Sequence, residues 1–412
     1  MKSPHLFNLL KKILKLLAVL TLKKYQPGVI GITGSAGKTS TKEAIYAVLK
    51  QERSVRRNIG NFNNELGLPL TVLGNYPEVK GIFFWPKIII KSLGRLIFSD
   101  KNYPEVLILE MAADRPGDIR YLTEIAKPQI GVITAIGEIP VHVEFYSSPE
   151  AVAREKAHLI EVLPTNGFAI LNYDDEIVYN LRSRTRAHII TYGFNEGADL
   201  GLNNLEYRIE AGRPAGISFK VQYGGSLVPV RLNNVFGKPQ AYAAAAAVAV
   251  GLAFGINLIK ISEALLDYEA PDGRMKLING VKDTLILDDS YNASPLSMRA
   301  ALETLRSLPA KRRIVVLGDM LEIGKYSTEA HQAVGELAAK VADYLFCIGP
   351  RAKFIAESAR QNSFDHKKIQ VFGTSEAARK MIEREIKAGD LILVKGSRAI
   401  KLEKIIEEIR MR

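Results

Sequence analysis

Short runs of apolar residues alternate along this chain with longer segments in which apolar residues recur every three or four positions. An unbroken apolar run is typical of a buried strand, and the longer recurrence is typical of an amphipathic helix. Strands that alternate with helices indicate an α/β fold with a mostly parallel sheet. In the first half of the chain, strands are predicted at residues 29–32, 106–112, 130–136, 168–171 and 188–192.

The pattern changes twice farther along the chain. Residues 205–232 alternate polar and apolar side chains around glycine-rich turns, which predicts a small antiparallel appendage. After a predicted alanine-rich helix at 241–252, a second strand–helix series starts near Gly273 and indicates a Rossmann-like C-terminal domain. We therefore expect a central domain at 27–272 and a C-terminal domain at 273–412. The strands predicted in the second series lie at residues 285–287, 314–317, 345–348, 369–372 and 391–394.

The first 26 residues form a predicted basic amphipathic helix. Its apolar side chains at positions 6, 9, 10, 13, 16, 17 and 20 follow helical spacing, and Lys11, Lys12 and Lys15 occupy the other side. Residues 81–98 form a second basic and apolar stretch. Two interpretations stay open for both segments, namely peripheral contact with the inner face of a membrane and packing on the protein or on another subunit. Lipid and protein interfaces favour the same amphipathic face.

Composition narrows the classes of partner. The formal net charge of +12 favours anionic partners such as nucleotides, acidic substrates or an anionic membrane, and the dispersed Lys and Arg residues argue against nucleic acid. Cys347 is the only cysteine, so a disulfide framework is excluded, and we expect a cytoplasmic protein. A length of 412 residues predicts two or three domains.

One motif between a predicted strand and a predicted helix indicates phosphate binding. Its glycine turn presents backbone N–H groups to phosphate oxygens, Lys38 reaches the β- and γ-phosphates, and the Thr39 hydroxyl coordinates Mg²⁺. An ordinary glycine-rich turn is the alternative, since Ile32 stands where the strict motif has glycine. The expected ATP-binding loop consists of Gly34, Ser35, Ala36, Gly37, Lys38, Thr39 and Ser40.

Further motifs follow in a characteristic order. They are Asn61-Phe-Asn-Asn-Glu-Leu-Gly67, Glu110-Met-Ala-Ala-Asp114, His142-Val-Glu144, Ala153-Arg-Glu-Lys156, Gly273-Arg-Met275, Asp288-Asp-Ser-Tyr-Asn-Ala-Ser-Pro295, Gly318-Asp-Met-Leu-Glu322, His331 and Lys395-Gly-Ser-Arg398. Together with the phosphate loop, this ordered set resembles the Mur ligase family. The motifs at 288–295, 318–322 and 395–398 resemble most closely its D-alanyl-D-alanine-adding branch.

The resemblance implies an ATP-dependent acid–amino-acid ligase. In this family ATP phosphorylates a substrate carboxylate, and an amine then displaces phosphate to form an amide. The substrates implied are D-alanyl-D-alanine and a UDP-N-acetylmuramoyl-tripeptide-type acceptor of peptidoglycan synthesis. A different, membrane-linked carboxylate acceptor, as in a polyglutamate-type synthase, is the first alternative. A non-catalytic nucleotide-binding protein is the second.

The resemblance also implies roles for individual residues. Glu110 and His142 match positions that bind Mg²⁺, and Lys156 matches a lysine whose carbamate binds a second Mg²⁺. An unmodified Lys156 on a solvated helix surface is the alternative. The matching nucleotide contacts are Arg274, Asp289 and Asn292, and the matching substrate contacts are Asn64, Lys395, Ser397 and Arg398.

Two features depart from the family's pattern. Ala135 and Pro239 replace polar residues that help to hold ligand or metal, so we expect ligand placement near them to differ. Typical members also carry an N-terminal domain that binds the UDP-sugar, and here only the predicted helix precedes the central domain. We therefore expect either that central and C-terminal surfaces hold the sugar nucleotide or that the acceptor is different.

Overall fold

The computed structural model of the protein describes residues 4–76, 78–81 and 83–411. Residues 1–3 of the predicted N-terminal helix, Ile82 of the 81–98 stretch and Arg412 of the predicted C-terminal domain lie outside the described residues. The chain divides into two units, and the predicted domain bounds stay predictions. One unit comprises Met1–Ala135, Glu150–Gly201 and Ala243–Ala264, and the other comprises Ile136–Pro149, Leu202–Tyr242 and Leu265–Arg412.

The first unit is built on a parallel sheet, which confirms the α/β prediction. Its strands are β1 (Gly28–Thr33), β2 (Val55–Arg57), β3 (Val106–Glu110), β4 (Ile130–Ile133), β5 (Phe168–Asn172) and β6 (His188–Gly193). They lie in the order β2-β3-β1-β4-β5-β6 with parallel pairings throughout. Because β1 lies between β3 and β4, the carboxyl ends of these three strands meet at one edge of the sheet.

One helix precedes the first strand, and the other helices of this part of the chain lie between or after the strands. In chain order they are α1 (Pro4–Tyr25), α2 (Lys38–Leu49), α3 (Gly67–Leu73), α4 (Phe84–Ile97), α5 (Asp118–Ile125), α6 (Pro149–Glu161) and α7 (Glu176–Asn180). Helix α1 packs on the protein through one side, where Leu10, Leu14 and Leu17 share a core cluster with residues of α3 and α4. The packing interpretation of the N-terminal helix is therefore confirmed for this side.

Two strands end earlier than the sequence predicts. Strand β3 stops at Glu110 and β4 stops at Ile133, whereas the apolar runs continue to 112 and 136. After β4 the backbone turns, because the carbonyl of Ala135 accepts hydrogen bonds from the phosphate loop instead of from a neighbouring strand. Strand β2 was not predicted, since three half-buried residues give no readable pattern.

Three long strands and two helices come next along the chain. Strands β7 (Leu200–Glu210), β8 (Arg213–Tyr223) and β9 (Ser226–Asn233) are neighbours in that order, and β8 pairs antiparallel with β9. The predicted antiparallel appendage is thus confirmed. The helices are α8 (Lys238–Ala253), which contains the predicted alanine-rich segment, and α9 (Leu258–Ala264).

A second sheet forms the core of the other unit. Its strands are β10 (Lys276–Gly280), β11 (Thr284–Asp289), β12 (Arg312–Gly318), β13 (Tyr344–Ile348), β14 (Ile369–Phe372) and β15 (Asp390–Lys395). Their order is β10-β11-β15-β12-β13-β14, and only β10 runs antiparallel to its neighbour. Cys347 is buried in β13, as expected of a core residue. The helices are α10 (Pro295–Ser307), α11 (Ser327–Ala339), α12 (Lys353–Gln361), α13 (Ser375–Glu385) and α14 (Glu403–Ile409).

Candidate active site

The phosphate loop connects β1 to the N-terminus of α2. Gly34 and Gly37 have φ angles of 148° and 86°, a region that side chains disfavour. Lys38 is the first residue of α2, and its Nζ donates to the carbonyl of Gly34 at 2.8 Å, so its ammonium folds back over the loop. In the described chain no side chain caps α2, which leaves the start of this helix suited to an anion.

The loop is anchored to the end of β4. The N–H groups of Ser35 and Ala36 donate to the carbonyl of Ala135 at 2.7 and 3.2 Å. Thr134 Oγ1 donates to the carbonyl of Ala36 at 2.6 Å. These bonds use the backbone of Ala135, so the loop keeps its anchor although this position lacks a polar side chain.

Glu110 lies beside the loop, at the carboxyl end of the neighbouring strand. It pairs in register with Ile32 of β1, two residues before the loop begins. Asn63 Nδ2 donates to Glu110 Oε1 at 3.0 Å, and Lys42 Nζ lies 3.8 Å from Oε2. Asn58 Oδ1 accepts from the backbone N–H of Glu110 at 2.9 Å. Three side chains therefore fix the position and orientation of this carboxylate.

The environment of Glu110 fits a hard metal ion. Its Oε2 is buried and, among the described residues, has no hydrogen-bond partner. The Lys42 ammonium lies 3.8 Å from it, beyond hydrogen-bond distance, so the lone pairs of this buried oxygen stay open to a metal ion or a donor. Nowhere in the described chain do three His, Cys, Asp or Glu side chains form a metal-binding group. A Mg²⁺ ion at Glu110 would accordingly take most of its other ligands from water and phosphate, as Mg²⁺ commonly does.

Lys156 lies on α6 and is 1% exposed, so the alternative of a solvated helix surface is wrong. Burial, together with the positive charge of Lys38, lowers the pKa of Lys156 to about 7. The carboxylates of Asp114, Glu155 and Asp118 oppose this shift. A substantial fraction of neutral amine is therefore present at neutral pH, which is the form that adds CO₂. Carbamoylation itself stays a prediction.

His142 belongs to the second unit and has a positive φ of 69°. Its Nδ1 lies 2.9 Å from Oε2 of Glu322. The contact with His142 lowers the pKa of the Glu322 carboxyl below its ordinary value. A carboxylate at Nδ1 favours a proton on that nitrogen, and the lone pair of Nε2 then suits a metal or a ligand.

A buried ion pair connects two neighbouring strand ends of the second unit. Strand register places Asp289 of β11 beside Lys395 of β15, and Lys395 Nζ donates to Asp289 Oδ2 at 2.6 Å. The same ammonium donates to the carbonyl of Asn292 at 3.0 Å. Burial lowers the pKa of Lys395 and raises that of Asp289, while their mutual attraction opposes both shifts. The ammonium thus holds the loop after β11.

Two arginines meet at the same loop. The guanidinium carbons of Arg274 and Arg398 lie 4.2 and 5.4 Å from the centre of the Tyr291 ring. Gln240 Nε2 donates to the carbonyl of Arg274 at 2.7 Å and fixes its backbone. The structure therefore brings Arg274 and Arg398 to one ring, which directly precedes Asn292 in the sequence.

Three other candidate side chains make local hydrogen bonds. Ser397 Oγ accepts from the N–H of Leu321 at 2.9 Å. Asn64 Oδ1 accepts from two backbone N–H groups where α3 begins, at 3.2 and 3.0 Å. His331 is buried, and its Nε2 accepts from the N–H of Met320 at 3.0 Å, which marks it as a core histidine. Burial lowers the pKa of His331.

Sequence reasoning missed four residues that position the candidate ligands. Asn58, Lys42 and Asn63 surround Glu110, and Glu322 contacts His142. Three of them carried a readable signal. Lys42 follows Lys38 by four residues and so shares its side of α2, and Asn63 and Glu322 lie within motifs already singled out.

Two family models match the sequence. Residues 32–82 and 92–251 match the Mur ligase middle domain. Residues 273–398 match the Mur ligase glutamate ligase domain. The matched segments together cover most of the chain and contain the phosphate loop, Glu110, His142, Lys156 and the loop after β11.

Proteins of known identity are similar to this chain over nearly its whole length. The UDP-N-acetylmuramoyl-tripeptide–D-alanyl-D-alanine ligase of Bacillus subtilis is 32% identical over 398 residues, which is 96% of this chain and 79% of that ligase. MurF from Acinetobacter baumannii superposes with a TM-score of 0.79 at 26% identity, covering 96% of this chain and 79% of MurF. The MurF ligase from Thermotoga maritima, solved in complex with ADP, gives a TM-score of 0.77 at 29% identity and coverages of 97% and 83%.

Proposed function

This chain belongs to the Mur ligase family, and from that premise we propose that it joins D-alanyl-D-alanine to a UDP-N-acetylmuramoyl-tripeptide-type acceptor. As a member of that family it is an ATP-dependent, ADP-forming ligase. One observation carries the proposal. A phosphate loop and a buried glutamate oxygen without a hydrogen bond lie at the ends of adjacent parallel strands.

The reaction needs two displacement steps. The acceptor carboxylate attacks the γ-phosphorus of ATP, and the bond to the β–γ bridging oxygen breaks to release ADP. The amine of D-alanyl-D-alanine then attacks the acyl carbon, the amide forms, phosphate leaves and the amine gives up a proton. The protein contributes mainly position and charge in such transfers.

The residues of the first unit suit the phosphate-transfer step. The loop N–H groups would bind phosphate oxygens, and Lys38 would exchange the Gly34 carbonyl for a phosphate. Mg²⁺, when bound, supplies positive charge that neutralises phosphate oxygens. We propose Glu110 and Thr39 as its protein ligands, and the carbamate of Lys156 as a ligand of a second ion. His142 stays a candidate metal ligand on the strength of the family resemblance alone.

The second unit would supply nucleotide and substrate contacts. Arg274 and Arg398 lie near the Tyr291 ring, and these two arginines and the adjacent Asn292 remain our candidates for direct contact with ligand. Lys395 and Asp289 are better described as positioning residues, because their charges are paired in the interior. Ser397 and Asn64 stay candidates for substrate contact. Their oxygens accept local backbone hydrogen bonds, and the hydroxyl of Ser397 and the amide NH₂ of Asn64 can still donate to a substrate.

The proposed location is the cytoplasm, where the reaction has access to ATP. No helix of the described residues is both long enough and apolar enough to cross a membrane. The hypothesis of contact with the inner membrane face concerns α1 and residues 81–98, and it is compatible with a membrane-linked acceptor.

Phosphate release tests the proposed reaction. We expect release that requires ATP, D-alanyl-D-alanine and a UDP-N-acetylmuramoyl-tripeptide together, with the pentapeptide product detected by mass spectrometry. Lys38→Ala and Glu110→Ala should each abolish release, whereas Lys367→Ala, on an exposed turn, should leave it unchanged. Release with another carboxylate acceptor but not with the muramoyl tripeptide would overturn the proposed acceptor. Binding of ATP without turnover of any acceptor would overturn the ligase assignment.

A further inference from the structure

Helices α1 and α4 of the first unit present apolar side chains to water. Phe83, directly before α4, is 79% exposed, and Ile90 and Ile97 of α4 are 70% and 74% exposed. A surface helix normally turns polar side chains to water, and large exposed apolar surfaces mark interaction sites. The exposed apolar residues that define this α1–α4 surface are Leu6, Leu9, Leu16, Leu20, Phe83, Ile90, Leu93 and Ile97.

Each helix has a second apolar side that the protein itself covers. On α1, Leu10 and Leu14 are buried, whereas Leu9 and Leu16 are exposed. On α4, Ile88 is buried, whereas Ile90, Leu93 and Ile97, which are spaced three and four residues apart, share a different side that is exposed. The packing of these helices on the protein therefore accounts for only one of the two apolar sides of each helix.

The two helices form one rigid element. Lys24, near the end of α1, donates to the carbonyls of Arg95, Leu96 and Phe98 at 2.8, 3.1 and 3.2 Å. Tyr25 OH donates to the carbonyl of Arg95 at 3.0 Å. These bonds satisfy the carboxyl end of α4 and fix it to the end of α1. The exposed side chains are thus held by a braced helix pair and not by a loose segment.

Charge distinguishes the partners that could cover this surface. Neither α1 nor α4 contains Asp or Glu. Lys11 and Lys15 pair with Glu65 and Glu124 of the same unit. Lys12 and Lys23 of α1 and Lys87 and Lys91 of α4 are exposed as well. A second copy of the chain would bring like charges together, which disfavours self-association through this surface.

We propose that the α1–α4 surface binds flat on a lipid bilayer that contains anionic lipids. The apolar side chains enter the boundary between headgroups and acyl chains, and the flanking lysines contact lipid phosphates. At 22 residues, α1 lies along the bilayer plane for about 33 Å. This inference does not depend on the ligase reaction, because the binding needs no substrate.

Flotation with vesicles tests the proposal on the full chain. We expect the protein to float with vesicles of phosphatidylglycerol and phosphatidylcholine and to float much less with phosphatidylcholine alone. Raising the salt concentration from 0.1 to 1 M should weaken the binding, because the Debye length falls from about 10 to about 3 Å. Equal flotation with both vesicle types, or none with either, would overturn the proposal.

A matched pair of double variants assigns the binding to this surface. Ile90→Ser with Ile97→Ser removes two exposed side chains from α4 and should lower vesicle partitioning more than about tenfold. Ile209→Ser with Leu227→Ser removes two exposed apolar side chains elsewhere and should leave partitioning unchanged. Circular dichroism of both variants confirms folding.

Two further results would contradict the assignment of lipid binding to this surface. Vesicle binding that the α4 double variant leaves intact would place the lipid contact elsewhere on the chain. A dimer that this variant dissociates, in a protein that does not bind vesicles, would show that a second copy covers the surface. Either result contradicts the proposal.

Discussion

At the level of single residues, the adjacent Asn63 and Asn64 have separate roles in the candidate site. Asn63 contacts the carboxylate of Glu110, and Asn64 accepts backbone hydrogen bonds at the start of α3. The resemblance to a family suggested Asn64, and the structure adds its neighbour. A motif predicts that a segment matters, but the direction of each side chain follows from the backbone turn.

Replacement of these asparagines should separate the two roles. Asn63→Ala leaves Glu110 Oε1 without its donor, and we expect the apparent Mg²⁺ affinity in phosphate release to fall about 10- to 100-fold. Asn64→Ala should lower the free energy of unfolding by about 1 kcal/mol and leave the Mg²⁺ dependence unchanged. Mg²⁺ titrations and urea denaturation measure both. An identical Mg²⁺ midpoint for the Asn63 variant and the wild type would refute the positioning role.

Lys156 should respond to pH in a defined direction. Its lowered pKa, about 7, means that the amine is mostly neutral above that pH and mostly protonated below it. The neutral amine adds CO₂ and releases a proton, so we expect carbamate at pH 8 and progressively less as the pH falls below 7. ¹³C NMR with labelled bicarbonate detects the carbamate carbon. Lys156→Arg, which stays protonated, is the control and should give no such signal.

The ion pair of Lys395 and Asp289 makes a stability prediction. Lys395→Met leaves a buried carboxylate without its partner and should lower the free energy of unfolding by about 3–5 kcal/mol. Arg398→Ala removes an exposed side chain from the same segment and should change stability by less than about 0.5 kcal/mol. Equal stability of the two variants in chemical denaturation would show that the pair does not hold the loop.

At the scale of elements, most strands and helices could be predicted from apolar patterning alone. All the predicted strands exist, because short apolar runs between turn signals, too short for most helices, favour buried strands in an alternating α/β pattern. The ends of β3 and β4 could not be predicted, since they depend on tertiary hydrogen bonds. The backbone after β4 bonds to the phosphate loop, and Ala112, after β3, donates to the carbonyl of Asn63. The two apolar sides of α1 were also hidden, because a helical pattern does not tell which neighbour covers each side.

The turn between β1 and α2 gives a prediction at this scale. A Cβ atom at Gly34 would lie 2.1 Å from Thr134 Oγ1, the group that anchors the loop. Gly34→Ala should therefore displace the loop and weaken ATP binding more than about tenfold in calorimetry. Gly255→Ala introduces a side chain at a φ of 73° into open space, so it controls for backbone strain alone. Unchanged ATP affinity in the Gly34 variant would contradict the role of the loop.

At the scale of the whole molecule, both units place candidate residues at the carboxyl ends of parallel strands. In the first unit these are the phosphate loop and Glu110, and in the second they are Asp289 and Lys395. Parallel sheets collect functional side chains at that edge, so the order of motifs along the sequence predicted much of the candidate site. Contacts such as His142 with Glu322 were not predictable, because they join segments far apart in sequence.

The net charge of +12 is consistent with the proposed substrates, because each carries an anionic group. These groups are the phosphates of ATP, the carboxylate of the acceptor and the carboxylate of the dipeptide. It also agrees with the exposed lysines beside the apolar side chains of α1 and α4. A single global property thus bears on both the ligase reaction and the proposed membrane contact, although different residues serve each.

A crystal structure with a non-hydrolysable ATP analogue and Mn²⁺ would test the central claim most directly. We predict that the analogue's phosphates accept hydrogen bonds from the turn at Gly37 and Lys38, and that an anomalous Mn²⁺ peak lies within coordination distance of Glu110 Oε2. A bound analogue whose phosphates avoid the glycine turn, or a metal peak remote from Glu110, would contradict the account.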